Sequence, residues 1–135
     1  MKRTVLIVIL AVILIGGFVA YRIYNKPHRD VTKETAVEIT ADNIYKEYVA
    51  NEAAANTKYL NKAIEVKGEI SDVQTNQDSS LVVYLKTSDP FYGVNCTFKE
   101  NPGPLQKGQQ IKFKGICTGY ITGGDVVLNE GVIIK

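Results

Sequence analysis

The chain has 135 residues, of which 45% are hydrophobic and 22% charged, with two cysteines and one histidine. Once an N-terminal membrane segment and its linker are set aside, about a hundred residues remain, which is one domain of ordinary size and leaves no room for two. From Asp30 onward there are eleven lysines, no arginine and fourteen acidic residues, a formal charge of −3. Because nucleic-acid affinity depends on neutralising phosphates, this balance argues against a general nucleic-acid binder, although a local lysine patch remains an alternative.

Residues 1–24 are predicted to form a single transmembrane helix. An unbroken apolar run from Val5 to Ala20 follows Lys2 and Arg3. At about 1.5 Å per residue, a helix from Val5 to Tyr21 falls just short of a hydrocarbon core about 30 Å thick, so flanking aromatic and basic residues are expected to complete the span.

The alternative for this segment is a cleaved secretory signal, which needs small residues before the cut. Cleavage after Ala20 would put Phe18 at the position where a small side chain is required. An uncleaved signal-anchor is therefore favoured. Positive charge flanks both ends of the span, so the charge rule says little about orientation, but the very short N-terminal tail favours export of the C-terminal domain.

Residues 25–38 are polar and lack periodicity, which predicts a short exposed linker. A helical segment follows, in which Thr40 or Asp42 is positioned to cap a first helix and Asn51 a second.

From Ala63 the apolar residues recur with a period of two, which predicts β-strands. Five strands are expected, the first being long enough to bend. The first strand begins at Ala63, and the other four cover Leu81–Lys86, Val94–Phe98, Ile111–Cys117 and Val126–Ile134. Gly68 and Gly115 lie within the first and fourth strands, where small barrels need sharp corners. The pattern predicts a mainly β domain over residues 39–135, a five-stranded Greek-key barrel of the OB-fold type.

Several segments of this domain resemble the tRNA_anti-like group of OB-fold domains, found in bacterial membrane-anchored proteins and lipoproteins. The similarity extends from Ile39 to the C-terminus and is carried by Asn51–Lys62, Val66–Gly68, Val94–Phe98, Leu105 with Gly108–Gln109, Lys114–Gly119 and Asp125–Leu128. The resemblance implies the barrel and an extracytoplasmic location, but no activity, since most members of the group have none established. It also implies a cysteine in the last strand, where this chain has Gly131.

The two cysteines leave two alternatives open. By strand alternation Cys96 and Cys117 both point into the barrel, where they either form a disulfide, if the domain is exported, or remain buried free thiols.

The expected ligand face is the outer surface of the second and third predicted strands. Alternation places Tyr84, Lys86, Asn95 and Thr97 there, with Tyr120 on a nearby loop and with Phe91 and Tyr92 on another. Aromatic rings and lysines together are typical of a stacking platform for bases or sugars, but exposed aromatics also pack barrel edges.

No motif points to catalysis. The acidic residues are dispersed, His28 lies in the linker, and two cysteines without a nearby histidine do not form a zinc site. The sequence predicts a protein without enzymatic activity, metal or cofactor that is held at the cell membrane and faces outward to bind an envelope protein or glycan. The alternative is a cytoplasm-facing binder of single-stranded nucleic acid.

Overall fold

The computed structural model describes residues 1–26 and 29–135. Its first element, α1 (Lys2–Tyr24), lies within the predicted anchor of residues 1–24 and extends past the apolar run Val5–Ala20 at both ends. Its 23 residues correspond to about 34 Å of helix, and its most apolar window has a mean hydropathy of 2.8. By length and composition, α1 is therefore sufficient to cross a membrane, and its ends include the basic and aromatic residues that flank the apolar run.

A short strand, β1 (Val37–Thr40), was not expected from the sequence and begins inside the predicted linker. It pairs in parallel with the first barrel strand, Val37 lying opposite Ile64. Nearer the N-terminus, Val31 is buried. Much of the expected exposed linker is thus attached to the barrel, because its few apolar residues find partners that strand alternation does not reveal.

Two short helices follow, each capped as the sequence predicts. The side chain of Thr40 accepts a hydrogen bond from the amide of Asn43 at the start of α2 (Ala41–Ala50). Asn51 does the same for Ala54 at the start of α3 (Glu52–Tyr59). The buried faces of these helices pack into the hydrophobic core of the barrel, and their largest fully buried side chains are Tyr48 and Tyr59.

Five strands close into a barrel, which confirms the predicted fold. They are β2 (Ala63–Thr75), β3 (Leu81–Leu85), β4 (Val94–Phe98), β5 (Gln110–Tyr120) and β6 (Val126–Ile134). Their order around the barrel is β2, β3, β4, β6 and β5, and the pairing of β5 with β2 closes it. The β4 and β6 strands run parallel and the other neighbouring pairs antiparallel.

The long first barrel strand changes partners along its length. Its first half, through Glu69, pairs with β5, and the part from Ile70 pairs with β3, with a register shift between Ile70 and Asp72. Just before the change, a Cβ added at Gly68 would lie 3.1 Å from Ala41 Cβ and 3.3 Å from Leu85 Cβ. At the predicted glycine corner, α2 and β3 therefore pack closely against this strand.

The residue in the last strand where the resemblance implies a cysteine has a packing explanation. A Cβ added at Gly131 would overlap the ring of Phe113, which also packs edge-to-face on Phe98 with 5.1 Å between ring centroids. The aromatic pair fills the space that a larger residue at position 131 would need.

The two cysteines are free and buried. Leu128 is paired with Cys96 on one side and with Cys117 on the other, so a whole strand separates them. Two strand spacings hold their Cα atoms roughly 10 Å apart, beyond the ~7 Å limit for a disulfide. Of the two alternatives, the structure contains the free thiols, and burial raises the pKa of both above the usual range.

Candidate ligand groove

Three of the five residues predicted for ligand contact share the outer face of β3 and β4. Tyr84 lies directly opposite Asn95, and Thr97 lies opposite Val82. The Thr97 hydroxyl is 3.4 Å from the side-chain oxygen of Asn95. Tyr84 is half-buried, and burial, followed by the nearby carboxylates of Asp125 and Asp72, raises the pKa of its hydroxyl. The tyrosine is therefore a neutral, partly covered ring that presents one side to solvent.

The fourth predicted residue, Lys86, immediately follows β3. Its amide donates to the carbonyl of Glu69 at 2.8 Å, which fixes the backbone, while the side chain is exposed. Lys86 lines the same groove as Tyr84.

Tyr120, the fifth predicted residue, lies on the other side of the sheet. Instead of a loop position, it is the last residue of β5, paired with the buried Val126. Its ring stacks on Tyr48 at 5.7 Å and meets the edge of Tyr45 at 6.3 Å. The reason is a register shift between Cys117 and Gly119, which reverses the alternation, so Tyr120 packs under α2 and away from Tyr84.

The groove beside Tyr84 has a volume of about 740 Å³. Its walls are the bend and second half of β2, the end of β3, the loop over residues 86–93 and the loop before β5. The side chains that give it chemical character are Glu69, Asp72, Gln74, Tyr84, Lys86, Asp89, Phe91, Tyr92, Lys107 and Asp125. A groove of this size is within the range of small-ligand sites and is open enough for a chain-like ligand.

The loop over residues 87–93 is held in place by its own side chains. Asp89 accepts hydrogen bonds from the amides of Phe91 at 2.8 Å and Tyr92 at 3.0 Å, and these bonds lower the pKa of its carboxyl. The Thr87 hydroxyl donates to the carbonyl of Tyr92 at 2.7 Å. The result is an ordered turn from which Phe91 projects with 85% of its surface exposed.

The same loop is tied to α2. The amide of Ser88 donates to a carboxylate oxygen of Asp42 at 2.7 Å, and the hydroxyl of Tyr45 donates to Asp89 at 3.2 Å. A hydrogen bond from Lys46, followed by that from Ser88, lowers the pKa of Asp42 to about 2. The aromatic rings of this loop are evident from the sequence, but its hydrogen bonds to α2 are not. The Thr-Ser-Asp-Pro run at 87–90 is the sequence signal that indicates an ordered turn.

The charge of the groove is negative. Four carboxylates and two lysines line it, and Lys107 is already paired with Asp72 at 3.1 Å. Asp125 accepts a hydrogen bond from the amide of Gly93 at 2.8 Å, which joins the loop between β5 and β6 to the rim. A phosphate backbone would meet more negative than positive charge here.

Across residues 1–26 and 29–135, no group of three or more histidine, cysteine, aspartate and glutamate side chains is close enough to hold a metal ion. His28, for which the sequence offers no partner, lies outside the described residues.

Comparison with known proteins gives a family and a structural likeness. The model of the family described as tRNA_anti-like matches residues 1–132. Among solved structures, the chain is similar to a lipoprotein of Klebsiella pneumoniae subsp. pneumoniae MGH 78578, provisionally named as nucleic acid-binding. The two chains are 17% identical with a TM-score of 0.55, and the likeness covers 82% of this chain and all of the other. No curated protein matches the sequence.

Proposed function

The chain belongs to the tRNA_anti-like family, and on this premise we propose that it is a non-enzymatic binding module anchored in the cell membrane by α1. The barrel is displayed outside the cytoplasm, where the groove beside Tyr84 binds an extended segment of an envelope protein or glycan. The observation that carries this proposal is the ordered loop over residues 87–93, which exposes Phe91 beside a groove of about 740 Å³.

The composition of the groove supports a ligand without phosphates. Aromatic rings stack on the apolar faces of sugars and side chains, while carboxylates and amides take up hydroxyl and amide hydrogens. Tyr84, Tyr92 and Phe91 supply the rings, and Asp72, Gln74 and Asp125 supply hydrogen-bond acceptors. A neutral or positively charged chain satisfies both sets of groups.

The anchoring is supported by the length and hydropathy of α1. The similar lipoprotein from Klebsiella is consistent with an envelope location. Two reporters fused after Lys135, one active only outside the cytoplasm and one fluorescent only inside it, test the orientation. Activity of the outside reporter is expected, and fluorescence of the inside reporter would contradict it.

Binding is tested with the full chain in detergent micelles and a β-1,4-linked N-acetylglucosamine tetramer as the glycan probe, or an unstructured lysine-containing peptide as the protein probe. The paired changes Tyr84→Ala and Phe91→Ala remove two aromatic contacts of about 0.5–1.5 kcal/mol each, so affinity is expected to fall roughly 5- to 100-fold. Ile121→Ala is the control, because Ile121 is an exposed apolar residue that does not line the groove. Binding that survives the paired change would contradict the site.

The second candidate is binding of single-stranded nucleic acid by a barrel that faces the cytoplasm. It is favoured by the provisional name of the Klebsiella lipoprotein and by the aromatic rings, on which bases can stack. It predicts a mobility shift of a single-stranded oligonucleotide that weakens steeply as salt rises. Absence of a shift at low salt would exclude it.

A further inference from the structure

The segment between α1 and β1 is packed against the outside of the barrel. Val31 is only 1% exposed and sits in a small apolar cluster with Ala63 of β2 and Ile116 of β5. Ala36 and Val132 border this cluster. We call residues 29–36 the latch. It covers the outer face of β5 near its pairing with β2, outside the main core.

Polar contacts hold the latch at two further points. The guanidinium of Arg29 donates to the carbonyl of Asn61 at 2.8 Å and forms a two-point pair with Glu34, one contact of which is 2.6 Å. The ammonium of Lys114 on β5 donates to the carbonyls of Glu34 at 2.5 Å and Thr32 at 3.3 Å. Lys114 is 8% exposed, so its charge is directed into the latch instead of into solvent.

The docked latch limits how far the barrel can lie from the end of α1. Only five residue steps separate Tyr24 from Arg29, and an extended chain spans at most about 3.6 Å per step, or roughly 18 Å in total. A membrane-spanning α1 therefore brings the side of the barrel that carries Arg29 and Asn61 close to the headgroups.

The groove lies away from the latch, both along β2 and around the barrel. Around the circumference, β5 has β2 and β6 as neighbours, whereas β3 and β4 lie across the barrel from it. The latch contacts Ala63 at the start of β2 and Ile116 of β5, whereas the groove is built on β2 from Glu69 to Gln74, the end of β3, the loop over residues 86–93 and the loop before β5. Six residue steps along β2, roughly 20 Å of strand, separate Ala63 from Glu69.

The latch side also carries the charge that headgroups favour. The cations near the membrane end of the latch are Arg22, Lys26, Arg29, Lys33 and Lys62, and the acids close to them are Asp30, Glu34 and Glu130. The eight residues sum to a formal charge of +2, of which Arg22, Lys26 and Arg29, before the domain, contribute +3 and the five residues from Asp30 onward contribute −1. Basic residues at a membrane surface are attracted to anionic lipids.

We infer that the latch seats the barrel on the lipid surface in one orientation, with the Asn61 edge against anionic headgroups and the groove turned away from the bilayer. This inference rests on the proposed anchoring by α1. It makes the membrane itself the binding partner of the latch side and leaves the groove open to a ligand that approaches from the envelope.

The test uses the full chain in vesicles of phosphatidylcholine and phosphatidylglycerol that contain lipids with a nitroxide on the headgroup. A single fluorophore is attached through Lys62→Cys on the latch side or Phe91→Cys at the groove; the native thiols are buried, so labelling is directed to the new cysteine. Quenching at position 62 is expected to exceed that at position 91 at least about twofold, because the barrel wall separates the two sites by roughly 10 Å or more.

The latch is tested by Val31→Asp, which places a carboxylate in the small apolar cluster and should make quenching at the two positions equal. Val49→Asp is the matched control, because Val49 is an exposed valine on α2. Lys114→Met, which removes only the bonds to the two latch carbonyls, provides a milder second variant. Equal quenching in the parent chain, or an unchanged difference in both latch variants, would overturn the inference.

Flotation with the vesicles separates this result from the proposed function. A chain that fails to float would contradict anchoring by α1. A chain that floats but shows equal quenching at positions 62 and 91 would contradict the seating alone. Vesicles of pure phosphatidylcholine are expected to reduce the difference between the two positions, and an undiminished difference would contradict the role of anionic lipid.

Discussion

Two irregular segments of this protein, the latch and the loop over residues 87–93, are both ordered by side-chain contacts. They differ in that the latch buries its apolar residue and the loop exposes its own. The latch buries Val31 to 1% exposure, whereas the loop leaves Phe91 at 85%. Both segments are bonded to the rest of the domain through contacts between charged side chains and backbone groups, the latch through Arg29 and Lys114 and the loop through Asp42 on α2. Order without burial costs conformational entropy and returns little packing. On the proposed function, the exposed ring is a contact for the ligand.

The largest expected difference between the two segments is in the free energy of unfolding after a charged residue is placed in each. Val31→Asp buries an unpaired carboxylate and is expected to lower the free energy of unfolding by about 2–4 kcal/mol. Phe91→Asp places the same group in solvent and should change it by less than about 0.5 kcal/mol. Chemical denaturation of the full chain in detergent measures both, and equal losses would remove the distinction between the segments.

Removing the buried cation under the latch should have a smaller effect. Lys114→Met keeps most of the apolar stem but leaves two carbonyls without their donor, so a loss of about 1–2 kcal/mol is expected. Lys112→Met is the control, because Lys112 is half-exposed and its pairing with Glu65 is long, at 3.8 Å. A loss at Lys114 no greater than at Lys112 would show that the latch does not depend on this cation.

For the loop, the corresponding change is Asp89→Ala. It removes the acceptor of the Phe91 and Tyr92 amides, so hydrogen exchange at these two amides is expected to accelerate by about tenfold. Asp78→Ala, in the exposed turn between β2 and β3, is the matched control. Unchanged exchange in the Asp89 variant would mean that the loop is ordered by something else.

The smallest expected effect is that of acid, which protonates Asp42 and weakens its hydrogen bond to the loop. The pKa of Asp42 is lowered to about 2 from an ordinary value of 3.8, so its contribution is complete above about pH 4 and is lost as the pH falls through about 2. The amide resonance of Ser88, which donates to Asp42, should titrate in this window, and Asp42→Asn should abolish that titration. A resonance that titrates near pH 4 in the parent chain would contradict the assignment.

Local rules predicted much of the fold. The period of two found the five barrel strands, Thr40 and Asn51 cap the helices as their residue types suggest, and Gly68 marks a close approach. The same local rules predicted the positions of the site residues less well. Tyr84, Asn95 and Thr97 share a face as alternation requires, but Tyr120 does not, because a register shift next to Gly119 lies between it and the regular part of β5. Ligand contact by any of these residues stays a prediction.

The sequence by itself determined the apolar span of α1, the five strands and the acidic, arginine-free character of the domain, because these depend on residue type and on contacts between near neighbours. Only the tertiary structure decided that Val31 docks on Ile116, that Leu128 stands between the cysteines and that Asp42 holds the aromatic loop. Each of these is a contact between residues far apart in the chain. Their partners are selected by how the closed barrel brings distant strands together, and no local period or motif carries that information.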